Sequence, residues 1–151
     1  MSIESKVLGQ QVAYPTDYCP SILVPVPRSL NREIYDIHTP EELFWGFDTW
    51  HAYEAGFLAR NGLPVCGVLK LVYPANSPCI VESKSLKLYL NPLNMPRLGE
   101  DTPSGVETYL QIVKSDLEQI LQTRVEATFF RQAPEKPYFD FQDYTLLEAT
   151  P

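Results

Sequence analysis

Asn61-Gly62 restricts the fold of this chain more than any other dipeptide in it. Asn-Gly readily adopts the positive-φ turn of a tight hairpin, and here it separates two runs rich in aromatic and β-branched residues. Upstream, residues 42–58 (ELFWGFDTWHAYEAGFL) alternate Trp45, Phe47, Thr49, His51 and Tyr53 with Phe44, Gly46, Asp48, Trp50 and Ala52. Such a run favours a strand. A helix over 50–59 competes with it, because Trp50, Tyr53, Glu54 and Phe57 also share a helical stripe. Downstream, residues 65–73 carry Lys70 as their only charge and read as a strand covered on both faces. The segment 74–78 (PANSP) ends that strand.

The rest of the chain falls into place around this hairpin. Residues 1–40 hold Pro15, Pro20, Pro25, Pro27 and Pro40 and show no helical period, yet they are too apolar for a disordered tail. They are expected to form an ordered N-terminal arm, with residues 41–151 as a single domain. Residues 82–91 suggest a short helix with Leu86, Tyr89 and Leu90 on one face, stopped before Pro92. After a proline-rich loop, Ser104 is expected to open the longest helix through an S-x-x-E capping box with Glu107. Val106, Leu110, Val113, Leu117, Ile120 and Leu121 follow at helical spacing, to an end near Gln122. Residues 124–132 read as a third strand and residues 139–147 as a weaker fourth. The order strand, strand, helix, helix, strand, strand predicts an antiparallel α+β domain with both helices on one sheet face. A single sheet of this kind leaves its edges open, so pairing with another module or a second copy is expected.

Composition narrows the function classes. A net charge of −7 over 151 residues argues against a non-specific nucleic-acid binder, which needs basic clusters to displace counterions. No apolar run is long enough to span a bilayer, and the N-terminus lacks a basic-then-apolar signal pattern. The expectation is a cytoplasmic protein without direct nucleic-acid or membrane contacts. Cys19, Cys66 and Cys79 fit no zinc spacing, and His38 and His51 are too scattered for ligation, so no metal is expected. Cys66, inside an apolar run, is expected to pack as a small hydrophobe.

Chemistry concentrates at residues 82–90 (ESKSLKLYL), where a carboxylate, two hydroxyls and two ammonium groups meet at a helix start. Glu82 offers two acceptor oxygens, enough to take paired N–H bonds from a planar heterocycle. Lys84 and Lys87, three apart, share a helix face suited to a phosphate. On spacing alone, a capped helix with solvated lysines is the plainer reading. Arg28 and Arg32 suit either an anion or interface salt bridges. Trp45, Trp50 and Tyr53 suit packing better than a stacking platform.

The string VESKSLKLYLNPLN resembles the signature of the nitrile reductase family that converts 7-cyano-7-deazaguanine to its aminomethyl form with NADPH, the QueF family. VPRSLNRE, FWGFDTWHAYEAGFLARNGLP and ESKSLKLYLN are similar, in the same order, to the N-terminal module of its two-module members, and the likeness covers roughly residues 10–132. The resemblance implies a tunnelling fold, a four-stranded antiparallel sheet with two helices that assembles through its edges. It also implies that Glu82 and Ser83 contact the deazapurine substrate, while Lys84, Ser85 and Lys87 lie toward the phosphates of NADPH.

The departures bear equally on function. The family's chemistry rests on a cysteine thiolate that forms a covalent thioimide with the nitrile, and on an aspartate proton donor. In two-module members both belong to the second module, in an Asn-Cys segment followed by Pro-Asp. This chain has no such pairing. Cys19-Pro20 is a faint echo without the Pro-Asp, and Cys19 reads as a loop cysteine. The family's substrate-binding His-Glu pair has its nearest counterpart in Val106-Glu107, where the histidine is missing, so the role is not carried over. The expectation is a module without catalytic residues of its own, inactive until joined by a second, catalytic module. The alternative is a non-catalytic tunnelling-fold homo-oligomer that binds a purine- or pterin-like ring or serves as a scaffold. An enzyme with Cys19 as its nucleophile ranks last.

Overall fold

The computed structural model describes residues 15–38, 43 and 45–132. Its elements are β1 (Pro25–Pro27), α1 (Ser29–Arg32), β2 (Phe47–Leu58), β3 (Pro64–Pro74), β4 (Cys79–Val81), α2 (Ser83–Leu90), α3 (Thr102–Leu121) and β5 (Glu126–Phe130). The expected α+β class with antiparallel pairing is what the described residues form. One sheet runs β2-β3-β5 and a two-stranded ribbon pairs β1 with β4. The fourth strand expected over 139–147 lies outside the described residues.

The Asn-Gly signal holds. β2 and β3 form a long antiparallel hairpin, so the strand reading of residues 47–58 prevails over the helix. The turn is closed by Ala59 N–H donating to Leu63 O at 2.8 Å, and Asn61 Oδ1 accepts from Leu63 N–H at 3.1 Å. Gly62 sits at φ +86°, a conformation that Cβ-bearing residues rarely take. Between Ala52 and Ala55 the register shifts by one residue, a bulge that places both Tyr53 and Glu54 at the surface. It also flips the side-chain parity of β2. Before the bulge Trp50 and Ala52 pair with Leu71 and Leu69; after it Ala55 and Phe57 point into the core.

β3 is the central strand, but its burial corrects the two-faced reading. Val65, Leu69, Leu71 and Tyr73 are buried, while Val68, Lys70 and Val72 on the other face are only half-buried. Cys66 lies on that outer face too and is exposed rather than packed, because the period of two turns it away from Val65.

The core joins the inner face of the sheet to both long helices in one cluster. From α3 it takes Tyr109, Val113, Leu117 and Leu121, each fully buried, and from α2 Leu86, Tyr89 and Leu90. Phe57, Tyr109 and Phe129 make an aromatic triangle, Phe57 stacked on Tyr109 at 5.8 Å and Tyr109 edge-on to Phe129 at 5.6 Å. Burial of these large side chains is the main stabilising contribution, about 1.5–3 kcal/mol for each fully buried residue.

One expectation about a helix start changes. The cap of α3 is Asp101, not Ser104: Asp101 Oδ1 accepts from Ser104 N–H at 2.9 Å, and Ser104 Oγ accepts from Asp101 N–H at 3.1 Å. Ser104 is therefore the third helical residue, and Glu107 has no part in the box. Pro103, inside the first turn with φ already set, allows the helix to begin earlier than the S-x-x-E pattern suggests. The arm is also more regular than its prolines imply, with β1 in register with β4 and residues 29–32 helical. Pro25 and Pro27 lack N–H donors but sit on a two-stranded ribbon, where such a donor is dispensable.

Candidate functional site

The residues singled out at 82–87 cluster where β4 gives way to α2. Glu82 is the N-cap, with extended backbone, and its carboxylate takes two of the helix's orphan donors. Oε1 accepts from Lys84 N–H at 2.9 Å and Oε2 from Ser85 N–H at 2.6 Å. A carboxylate has about four acceptor positions, so a lone pair on Oε2 is uncommitted, and Glu82 is only half-buried. Its negative charge also lies at the positive end of α2. Ser83 Oγ approaches Oε1 at 3.5 Å, a marginal contact that leaves the exposed hydroxyl able to turn elsewhere.

Lys84 and Lys87 are both exposed on the first two turns of α2. Lys87 Nζ lies 3.3 Å from Glu54 Oε2, the carboxylate that the β2 bulge brings across. With both side chains about two-thirds exposed, a pair of this kind contributes at most about 1 kcal/mol, so it does not immobilise the lysine. Ser85 is placed differently. It is 4% exposed, its hydroxyl donates to Glu82 O at 2.8 Å and accepts from Val24 N–H at 3.1 Å.

A groove of about 250 Å³ opens beside this helix start, lined by Trp50, His51, Tyr53, Glu54, Ser83 and Lys87 among others. Trp50, Leu86 and Leu90 give it apolar walls and Ser83, Lys87 and Glu54 its polar groups, whereas Glu82, Lys84 and Ser85 do not line it. Trp50 is anchored by its indole N–H, which donates to Tyr73 O–H at 2.8 Å. Ser83 and Lys87 reach the groove, and a hydroxyl beside an exposed ammonium group suits an anionic ligand.

Two contributors were not visible in the motif. Val24, an apolar residue just before Pro25, enters through its main chain, which no side-chain pattern announces. Glu54 enters through the bulge, and only the register of β2 on β3 reveals it. Arg28 and Arg32 act as fasteners. Arg28 is bonded to Asp48 and to Ser77, and Arg32 donates to Ala75 O at 3.0 Å, so the arm is tied to β2 and to the turn after β3. Asp48 and His51 lie on opposite faces of β2. Cys19 Sγ is 3.1 Å from Ser21 Oγ in a turn of the arm.

Comparison with known proteins gives a consistent answer. The family described as "Nitrile reductase, 7-cyano-7-deazaguanine-reductase N-term" matches residues 14–129. Proteins named NADPH-dependent 7-cyano-7-deazaguanine reductase are similar over most of the chain. The one from Acinetobacter baumannii is 40% identical over 131 residues, 87% of this chain and 46% of its own length. The one from Legionella pneumophila is 35% identical over 142 residues, 94% of this chain and 46% of its own. The one from Psychrobacter cryohalolentis is 39% identical over 131 residues, 86% of this chain and 44% of its own. The chain thus spans about half the length of the curated relatives it matches.

Proposed function

The chain belongs to the 7-cyano-7-deazaguanine nitrile reductase family, matching its N-terminal module, and on that footing we propose that it serves as the non-nucleophile half of an NADPH-dependent nitrile reductase. The reaction is reduction of 7-cyano-7-deazaguanine to 7-aminomethyl-7-deazaguanine, a step of queuosine biosynthesis in tRNA modification. The observation that carries the reading is the Glu82 carboxylate, held at a helix cap beside a groove and flanked by Ser83 and two exposed lysines.

In this reading Glu82 anchors the ring. A guanine-like edge presents adjacent N–H donors, and a fixed carboxylate is the matching acceptor. Ser83 adds a rotatable hydroxyl. Lys84 and Lys87 hold the cofactor's phosphates, Lys87 exchanging its weak pairing with Glu54 for a phosphate oxygen. When bound, NADPH would supply the hydride. The cysteine nucleophile and the aspartate proton donor come from a second module, which docks through sheet edges. β2 is an outer strand among the described residues, and Trp45 and Phe47 at its start are 89% and 71% exposed, as a surface awaiting cover would be.

The test is NADPH consumption with 7-cyano-7-deazaguanine, using the chain alone and the chain mixed with a purified C-terminal module from a relative. Turnover only in the mixture supports the proposal. Turnover by the chain alone contradicts the assignment of the nucleophile to another module. Silence in both favours a ring-binding or scaffolding homo-oligomer.

A further inference from the structure

Ser85 stands where a cofactor contact is expected, yet its surroundings assign it other work. In an ordinary capping box the side chain of the third helical residue accepts directly from the N-cap N–H. Here the main chain of Val24 is inserted between the two. Glu82 N–H donates to Val24 O at 3.0 Å, and Val24 N–H donates to Ser85 Oγ at 3.1 Å. Ser85 Oγ then donates to Glu82 O at 2.8 Å, and Ser85 N–H to Glu82 Oε2 at 2.6 Å. The single hydroxyl proton is used, one lone pair is used, and at 4% exposure the group is closed to an external ligand.

We infer that Ser85 is a positioning residue for Glu82, and that the arm around Val24 is an integral part of the ring-binding site rather than a cover over it. The chain of bonds fixes the N-cap backbone from both sides, so the Glu82 carboxylate has one orientation before any ligand arrives. Preorganisation of this kind strengthens binding by removing the ordering cost. The arm does not float at this point. Leu23 is buried in the core, and Tyr18 O–H donates to Asp116 on α3 at 2.6 Å. The inference rests on the proposed role of Glu82, and it makes a distinction between the two ligands. Loss of the Ser85 hydroxyl should weaken binding of the deazapurine and leave the cofactor untouched, whereas a phosphate-contacting Ser85 would do the reverse.

The experiment has two arms. In the first, hydrogen exchange is measured by NMR on the full chain, unmodified and as Ser85→Ala. The substitution should remove protection at the backbone amides of Val24, Lys84 and the substituted position itself. It should spare Asn91 N–H, which bonds Lys87 O at the far end of the same helix. Unchanged protection at all of these amides overturns the inference, whether or not the chain is part of a reductase. In the second, KM values are measured in the mixture with a C-terminal module. Ser85→Ala should raise KM for 7-cyano-7-deazaguanine roughly three- to tenfold, the scale of one hydrogen bond, with KM for NADPH unchanged. Ser85→Thr, which keeps the hydroxyl, should restore the value. A rise in KM for NADPH alone, or no change in either, overturns the inference. Ser85→Cys, close in volume and weaker in hydrogen bonding, carries the same comparison should the alanine variant not fold. Absence of turnover in the unmodified mixture counts against the reductase assignment and leaves the exchange arm to decide the role of Ser85.

Discussion

Tyr18 and Asp116 lie 98 residues apart in sequence, and the tyrosine hydroxyl donates to the aspartate Oδ2 at 2.6 Å. Tyr89 O–H donates to the same oxygen, also at 2.6 Å, and its ring centroid is 6.1 Å from that of Tyr18. One carboxylate thus fastens the arm and α2 to α3. Burial, then the hydrogen bond to Asp116 and its negative charge, push the Tyr18 hydroxyl up to about 12. The same causes, with burial again first, push Tyr89 further still. Both groups are held protonated by folding, so their contribution is complete below the ordinary tyrosine value near 10 and is lost as pH rises from there. The urea midpoint should fall between pH 10 and 12, and Tyr18→Phe should show a shallower fall over the same window. Parallel curves for the two proteins would mean that the latch does not couple to stability.

Tyr109 presents the opposite case. Its ring is fully buried in the aromatic triangle, and its hydroxyl has no hydrogen-bond partner among the described residues. A buried donor left unmade costs about 1–3 kcal/mol. Tyr109→Phe keeps the ring contacts and removes the orphan group. The expected outcome is a gain of about 1 kcal/mol, or a melting temperature higher by roughly 2–4 °C. A lower melting temperature would show that the hydroxyl is satisfied in solution.

Gly67 lies against the end of β5, with no room for a side chain. A Cβ there would stand 2.4 Å from Phe130 O and 2.6 Å from the Phe129 ring. The first neighbour is backbone and cannot turn away. Gly67→Ala should therefore separate the strands and destabilise the fold by about 2 kcal/mol, at the middle of the range for overpacking. Denaturant titration checks this, and a neutral effect would mean that β5 is loosely held.

The capping of α3 separates what is legible in the sequence from what is hidden there. Periodicity locates the helix through Val113, Leu117 and Leu121, and it locates the end near Gln122, which adopts φ +53° as the C-cap. The start is misplaced because S-x-x-E and D-x-x-S both occur there, and pattern alone does not say which pair closes. Asp101→Ala should lower the melting temperature clearly more than Glu107→Ala, since only Asp101 accepts from the helix backbone. Equal effects would restore the Ser104–Glu107 box.

The same division holds at the site. Glu82, Ser83, Lys84, Ser85 and Lys87 are legible as candidates because they fall within six residues of one motif. Val24 and Glu54 are not, because one acts through main-chain atoms and the other depends on a bulge that shifts the register of β2. The outward face of β3 shows the limit of composition in another way. Residues 65–73 look buried on both sides, but Val68 and Val72 remain half-exposed in the chain by itself. Apolarity reports what a surface favours, not whether its cover belongs to the same chain.

The central claim, that Glu82 is the anchor for the deazapurine ring, is tested most directly by titrating 7-cyano-7-deazaguanine calorimetrically into this chain assembled with a C-terminal module, with glutamate and with Glu82→Gln. The amide keeps the size of the side chain but exchanges one acceptor oxygen for a donor, which opposes the ring N–H groups. The account predicts at least a roughly tenfold weaker Kd, about 1.4 kcal/mol, for the variant. Equal affinity of the two proteins would contradict it and place the ring elsewhere.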